Sequence, residues 1–210
     1  MKIRVGFQCT LYAIRHIVSV ADIIQSHIPH IVYQKRSRDF ECEDIPFCVH
    51  PNVGAEATVY LTYIIQFYYV LPEVTAFVHG HQSSWHESNI VRRINRLNLN
   101  NLKYYNFNQI ARTFDTLNVT DTNHTQSATM REAWPEVFEQ ELGTMPSVIR
   151  VRCCAQFAVH RDRIRLRNRE FYVKVLLWLN TTKMQTFWSS RVLEFVWHIM
   201  FGELAYMIDP

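Results

Sequence analysis

Five glycines, Gly6, Gly54, Gly80, Gly143 and Gly202, are too few and too scattered to write a phosphate-cradling loop. Neither Gly-x-Gly-x-x-Gly nor Gly-x-x-x-x-Gly-Lys occurs, so dinucleotide dehydrogenases and kinases lose their usual anchor. No Gly-x-Ser-x-Gly elbow offers an esterase-type serine. No Cys-x-x-Cys exists among Cys9, Cys42, Cys48, Cys153 and Cys154. Their odd number, and a vicinal pair that would bridge only with strain, predict reduced thiols in a cytoplasmic protein rather than a disulfide scaffold or a zinc ribbon. Charge of one sign is also missing: 22 Lys and Arg against 19 Asp and Glu leave +3, too little for a nucleic-acid binder. The longest uncharged run, 57–71, would reach only about 22 Å as a helix against a hydrocarbon core of about 30 Å, so no membrane span is expected. Arg15 and His16 interrupt 1–20, which makes a poor signal peptide. The Asn-x-Thr sequons at Asn118, Asn123 and Asn180 would matter only in a secreted chain.

What is present reads as one folded domain over 1–210. A strand at 2–7 is followed by Leu11, Ile14, Val18, Ala21, Ile24 and Ile28 at helical spacing, then a strand at 30–35. Strand, helix, strand is the opening of an α/β domain, and the expected architecture is a central, mostly parallel mixed sheet flanked by helices. Further helices are expected at 57–70, from about 87, at 131–142, around 171–179 and at 191–201. Residues 148–159 read as one strand. Residues 106–130, polar and without apolar period, read as a loop. Arginines at 161, 163, 165, 167 and 169 alternate, giving either a solvated element or one basic strand face.

Two places carry chemistry. Val74–Val78 reads as a buried strand, and His79, His81 and His86 follow it within eight residues. The carboxyl end of a strand in an open α/β sheet is where ligands bind. Three imidazoles there could hold a divalent metal or a phosphate-bearing ligand, or His79 could be a satisfied core histidine and the others solvated. On the last helix Glu194 and His198 stand four apart and project side by side. They could be a buried couple, a catalytic base beside a metal ligand, or a surface pair. Asn52 could cap the helix after Gly54, whose free amides would attract phosphate, and Arg152 shares a strand face with Arg150 that could reach an anion.

Asn52-Val53-Gly54-Ala55-Glu56, Tyr60-Leu61-Thr62-Tyr63-Ile64-Ile65, Phe77-Val78-His79-Gly80-His81, Trp85-His86, Cys153-Cys154-Ala155-Gln156-Phe157-Ala158-Val159, Arg191-Val192-Leu193-Glu194 and Trp197-His198-Ile199-Met200-Phe201-Gly202 resemble, in order, the family catalogued as domain of unknown function 3431. The resemblance runs from about residue 31 onward. It implies a layout similar to glycosyltransferases of the A-type fold (GT-A-like), with a nucleotide-sugar-binding half at 1–105 and an acceptor-binding, catalytic half at 131–210. In such enzymes an Asp-x-Asp metal motif follows a central strand; here His79-Gly80-His81 stands in that place, suiting Mn²⁺ better than Mg²⁺. The family usually has Arg where this chain has Ala55, and 106–130 departs from its pattern.

The resemblance therefore implies a glycosyltransferase moving a sugar from a nucleotide-sugar donor to a glycan or other hydroxyl acceptor. Glu194 would be the general base, His79, His81 and His198 the metal ligands, and Asn52, Gly54, Glu56, Arg152 and Gln156 contacts to the nucleotide-sugar. A metal-dependent hydrolase using His79, His81, His86 and His198, and a non-catalytic binding domain, are the alternatives.

Overall fold

The computed structural model describes residues 3–10, 29–35, 48–49, 53–117 and 126–207. The expected helix at 11–28 and the cap at Asn52 lie outside them.

Among the described residues, six strands form one sheet in the order β3-β2-β1-β4-β8-β5. They are β1 (Ile3–Thr10), β2 (His30–Lys35), β3 (Cys48–Val49), β4 (Val74–His79), β5 (Tyr104–Asn106) and β8 (Phe157–His160). β1 pairs in parallel with β2 and β4, and β2 with β3, whereas β8 runs antiparallel to both β4 and β5. Two more strands, β6 (Ala111–Asp115) and β7 (Val148–Arg152), make a separate antiparallel ribbon. The α/β class thus holds as a mixed architecture with antiparallel pairing on one side. The chain lays β2 and β3 on one flank of β1 and β4 on the other, and Gln8 stands opposite His79. That reversal of direction opens a crevice at the carboxyl ends of the strands.

β4 is buried on both faces, which is why it reads as a continuous apolar run. Val74, Ala76 and Val78 pack on Ile90, Val91 and Ile94 of helix α2 (Ile90–Asn95). Phe77 points the other way, into a ring cluster with Tyr60 (4.9 Å between centroids) and Phe157 (5.2 Å), which in turn meet Trp197. Tyr60 belongs to α1 (Ala55–Phe67) and Trp197 to α7 (Thr186–Met200), with α3 (Gln126–Val137), followed by the short α4 (Glu139–Leu142), and α6 (Arg169–Thr181) completing that layer. Side chains alternate along a strand, so His79 shares the face of Phe77 and looks towards α1 and α7. This parity decides what His79 can meet.

Several expectations need correction. The strand expected over 148–159 is two strands in different sheets, because the backbone turns at Cys154 (φ 80°) and Ala155 (φ 48°), both left-handed. Left-handed backbone at non-glycine residues ends regular pairing without the glycine that would announce it. The Sγ atoms of Cys153 and Cys154 are joined as a vicinal disulfide, so the reduced-thiol reading does not hold for this pair. The loop expected over 106–130 contains β6, and the helix expected from 131 starts at Gln126. The alternating arginines do not share a basic strand face. Arg161–Ile164 is a short helix, α5; Arg165 donates to the carbonyls of Tyr68 and Tyr69 (3.3 and 3.2 Å) and Arg169 to that of Ile65 (3.1 Å). They close the open carbonyls where α1 ends, as cations at a helix C-terminus do.

Gly54 starts α1 at φ 67°, and a Cβ there would lie 2.7 Å from Oγ1 of Thr58, whose hydroxyl donates to the Val53 carbonyl. Gly54→Ala is therefore expected to destabilise the fold by about 2 kcal/mol or more, from the left-handed penalty plus the clash. Urea denaturation checks this; an unchanged midpoint contradicts it.

Candidate functional site

The three imidazoles are gathered by a loop that closes on itself. Beyond His79, Ser84 and Glu87 exchange backbone hydrogen bonds (2.7 and 3.3 Å), Ile90 N–H donates to the Gln82 carbonyl (3.0 Å), and Gln109 N–H donates to that of His86 (3.0 Å). The buried Glu87 carboxylate accepts from Asn89 N–H (2.9 Å) and pairs with Arg93 Nε (2.5 Å). Held this way, the ring centroids lie 5.2 Å (His79–His81), 5.7 Å (His79–His86) and 6.1 Å (His81–His86) apart. One ring nitrogen from each lies within 4.8 Å of those from the others.

A polar layer behind the rings fixes their orientation. His86 Nδ1 is 2.9 Å from Asn108 Oδ1. The Asn108 amide is set by its Nδ2, which donates to Asn106 Oδ1 (2.9 Å) and the Gln156 carbonyl (3.2 Å), so its oxygen faces the ring. His86 Nδ1 consequently carries the proton and Nε2 keeps its lone pair. Gln156 Oε1 accepts from the backbone N–H of His79 (3.0 Å).

The electrostatics keep all three rings neutral. Burial, then the neighbouring His81 and His86, push His79 down to about 3. Burial first, then His86, lowers His81; burial lowers His86 against the opposing Asn108 hydrogen bond and Glu87 charge. Nε2 of His79 and Nε2 of His81 are buried with no hydrogen-bond partner. Two unpartnered ring nitrogens beside the Nε2 lone pair of His86, with one nitrogen of each ring within 4.8 Å of the others, could hold a divalent cation of the borderline type, Zn²⁺ or Mn²⁺, better than Mg²⁺.

On the α7 side Glu194 Oε1 accepts from the backbone N–H of Cys154 (2.7 Å). Burial raises its carboxyl above the ordinary range, partly offset by Arg191, the Cys154 N–H and Arg112. Glu194, His79 and His86 face one cavity of about 300 Å³, shared with Glu56, Arg112 and Arg191 and walled by Trp85, the vicinal cysteines and Phe195. The middle strand and the last helix therefore do meet, at the face that the parity of β4 requires.

The expected residues divide clearly. His79 and His81 lie together, and the third imidazole beside them is His86 rather than His198. His198 is fully buried in the core, its Nε2 3.4 Å from the Ala205 carbonyl; being four residues from Glu194 put it one turn deeper. Gln156 is buried and supports the backbone of His79, and Arg152 donates to the Asn108 carbonyl (3.3 Å). Glu56 lines the cavity; Gly54 caps α1 behind it. Sequence reasoning missed Asn108 and Arg112, which lay in the supposed loop, and Arg191. The three-residue spacing of Arg191 from Glu194 on one helix was the available signal.

Burial drives His198 down to about 4 and His79 to about 3. Both values lie below the unfolded 6.5, so the unfolded chain binds the extra protons. Stability is full above about 6.5 and falls as pH drops towards 4, by about 3 kcal/mol per group. Urea midpoints measured across that window are expected to decline; a flat profile would contradict neutral burial.

The family model described as Protein of unknown function (DUF3431) matches residues 24–208. No curated protein and no solved structure matches the chain. Among the described residues no helix is long and apolar enough to cross a membrane.

Proposed function

Starting from a chain that belongs to the DUF3431 family over residues 24–208, we propose a metal-assisted glycosyltransferase that moves a sugar from a nucleotide-sugar donor to a hydroxyl acceptor. The observation carrying this reading is that the Glu194 carboxylate and the His79 and His86 imidazoles face one cavity. Its place at the carboxyl edge, where β1 and β4 lie side by side, supports a nucleotide site and the A-type layout.

His79, His81 and His86 would hold the divalent ion, which when bound supplies positive charge against the diphosphate leaving group. Arg112 and Arg191 line the same cavity, and their guanidiniums suit phosphate oxygens. Glu56 offers an acceptor to a donor hydroxyl. Glu194 binds Cys154 N–H through Oε1, leaving Oε2 to take the acceptor proton. As that proton leaves, the acceptor oxygen bonds to the anomeric carbon and the bond from that carbon to the diphosphate breaks, its electron pair going to the phosphate. A base whose carboxyl is raised by burial accepts a proton more readily than an ordinary glutamate.

Titration calorimetry with uridine and guanosine diphosphates, with and without Mn²⁺, tests the proposal. Binding of one of them that depends on Mn²⁺ is expected; no binding in any combination removes the transferase reading. Three neutral imidazoles with further coordination positions open also match the ligand set of hydrolytic zinc sites. Metal analysis of protein purified without chelator separates the two: tightly held stoichiometric zinc favours hydrolysis, metal retained only with nucleotide favours transfer.

A further inference from the structure

Next to the cavity lies a second groove, of about 350 Å³, that shares Arg112, Arg191 and Phe195 with it. Its remaining walls include Phe114, Phe187 and Gln126. Phe187 is 54% exposed, a large apolar side chain that the fold leaves facing the groove. Arg191 lies over its ring, 4.4 Å from the centroid, so the guanidinium bordering both spaces is fixed by the aromatic wall. Phe114 stands edge-on to Phe195 at 5.1 Å. Gln126 Nε2 is buried without any hydrogen-bond partner, a donor kept from water and waiting for an acceptor oxygen.

We propose that this groove is the acceptor subsite and that it takes a pyranose ring. The inference rests on the transferase reading and adds the class of acceptor. A pyranose has a face of C–H groups that lies flat on an aromatic ring, and a rim of hydroxyl and ether oxygens that accept hydrogen bonds. The groove offers the complement: the exposed Phe187 ring for the flat face, and the Gln126 amide and two guanidiniums as donors for the rim. A ligand that was only apolar would leave Gln126 Nε2 unsatisfied, and a bare anion would leave Phe187 uncovered. Because Arg191 and Phe195 flank Glu194 on α7, a sugar seated here presents a hydroxyl across their shared edge towards that carboxylate.

Saturation-transfer NMR with the methyl glycosides of glucose, galactose, mannose and N-acetylglucosamine, and with phenol as a flat apolar control, tests the inference. At least one glycoside should receive saturation, and Phe187→Ala should weaken its binding by about five- to tenfold, the value of one aromatic face. Gln126→Leu should weaken it as well, while Mn²⁺-dependent nucleotide binding stays unchanged in that variant. Circular dichroism confirms that they fold. Saturation of phenol alone, of no glycoside, or of a glycoside equally well in Phe187→Ala overturns the subsite. If glycosides bind but neither nucleotide does, the groove stands as a sugar site and the transferase reading falls.

Discussion

His79→Ala is expected to lose divalent metal by more than about a hundredfold in affinity. Changing a residue behind a metal ligand costs about 10–100-fold, so removing one of only three imidazoles costs more. Asn108→Ala supplies the smaller figure in the same protein: it leaves every ring in place but frees His86 Nδ1 from its 2.9 Å partner, and about 10–100-fold is expected. The metal-free fold should not suffer from the first change. His79 buries an Nε2 that has no partner, so deleting the ring removes an unsatisfied group, and the melting temperature without metal should hold or rise. Competition against a chelating dye, with elemental analysis after gel filtration, gives both affinities. Equal metal content in wild type and His79→Ala would remove the cluster as a metal site.

Glu194→Gln should lower turnover by about 10²–10⁴-fold, the range of a positioned acid–base group. The amide keeps the oxygen that accepts from Cys154 N–H at 2.7 Å, so the turn at the cysteines survives and thermal stability should stay close to wild type. Nucleotide diphosphate should bind as well or better, because a carboxylate that competes for Arg112 and Arg191 has been neutralised. The pH dependence separates chemistry from structure. In the wild type the rate rises with pH through the raised carboxyl of Glu194, above the ordinary glutamate range, and in the variant this limb disappears. Full turnover by Glu194→Gln would show that the acceptor proton goes elsewhere.

Much of the layered frame was legible because burial imposes period. β2 occupies the expected 30–35, and α1, α6 and α7 follow the apolar spacing that identified them, since each presents one face to the ring cluster around Phe77. The antiparallel side was legible only in part. β7 and β8 lie within the stretch expected as strand over 148–159, but on β6 Arg112 and Thr113 both stay exposed, so no alternation marks that strand. The joint between β7 and β8 hides inside Val-Arg-Cys-Cys-Ala-Gln-Phe, which contains none of the residues that usually signal a turn. At the site, spacing placed His79, His81 and Glu194 but could not choose between His86 and His198. That choice depends on depth: His86 is turned inward by a loop pinned at Glu87, whereas His198 is one helical turn further into the core. Asn108 and Arg112 arrive through long-range pairing, which a one-dimensional pattern does not record.

The hydrogen bond from His79 N–H to Gln156 spans 77 residues of sequence, and β4 has as its neighbours a strand from the start of the chain and one from beyond residue 156. The imidazoles are therefore encoded early and oriented late. A nascent polypeptide halted before Gln156 would already carry His79, His81 and His86 but would lack the brace that aligns them, so the proposed capacity to hold an ion should emerge only once Gln156 and β8 have left the ribosome and docked.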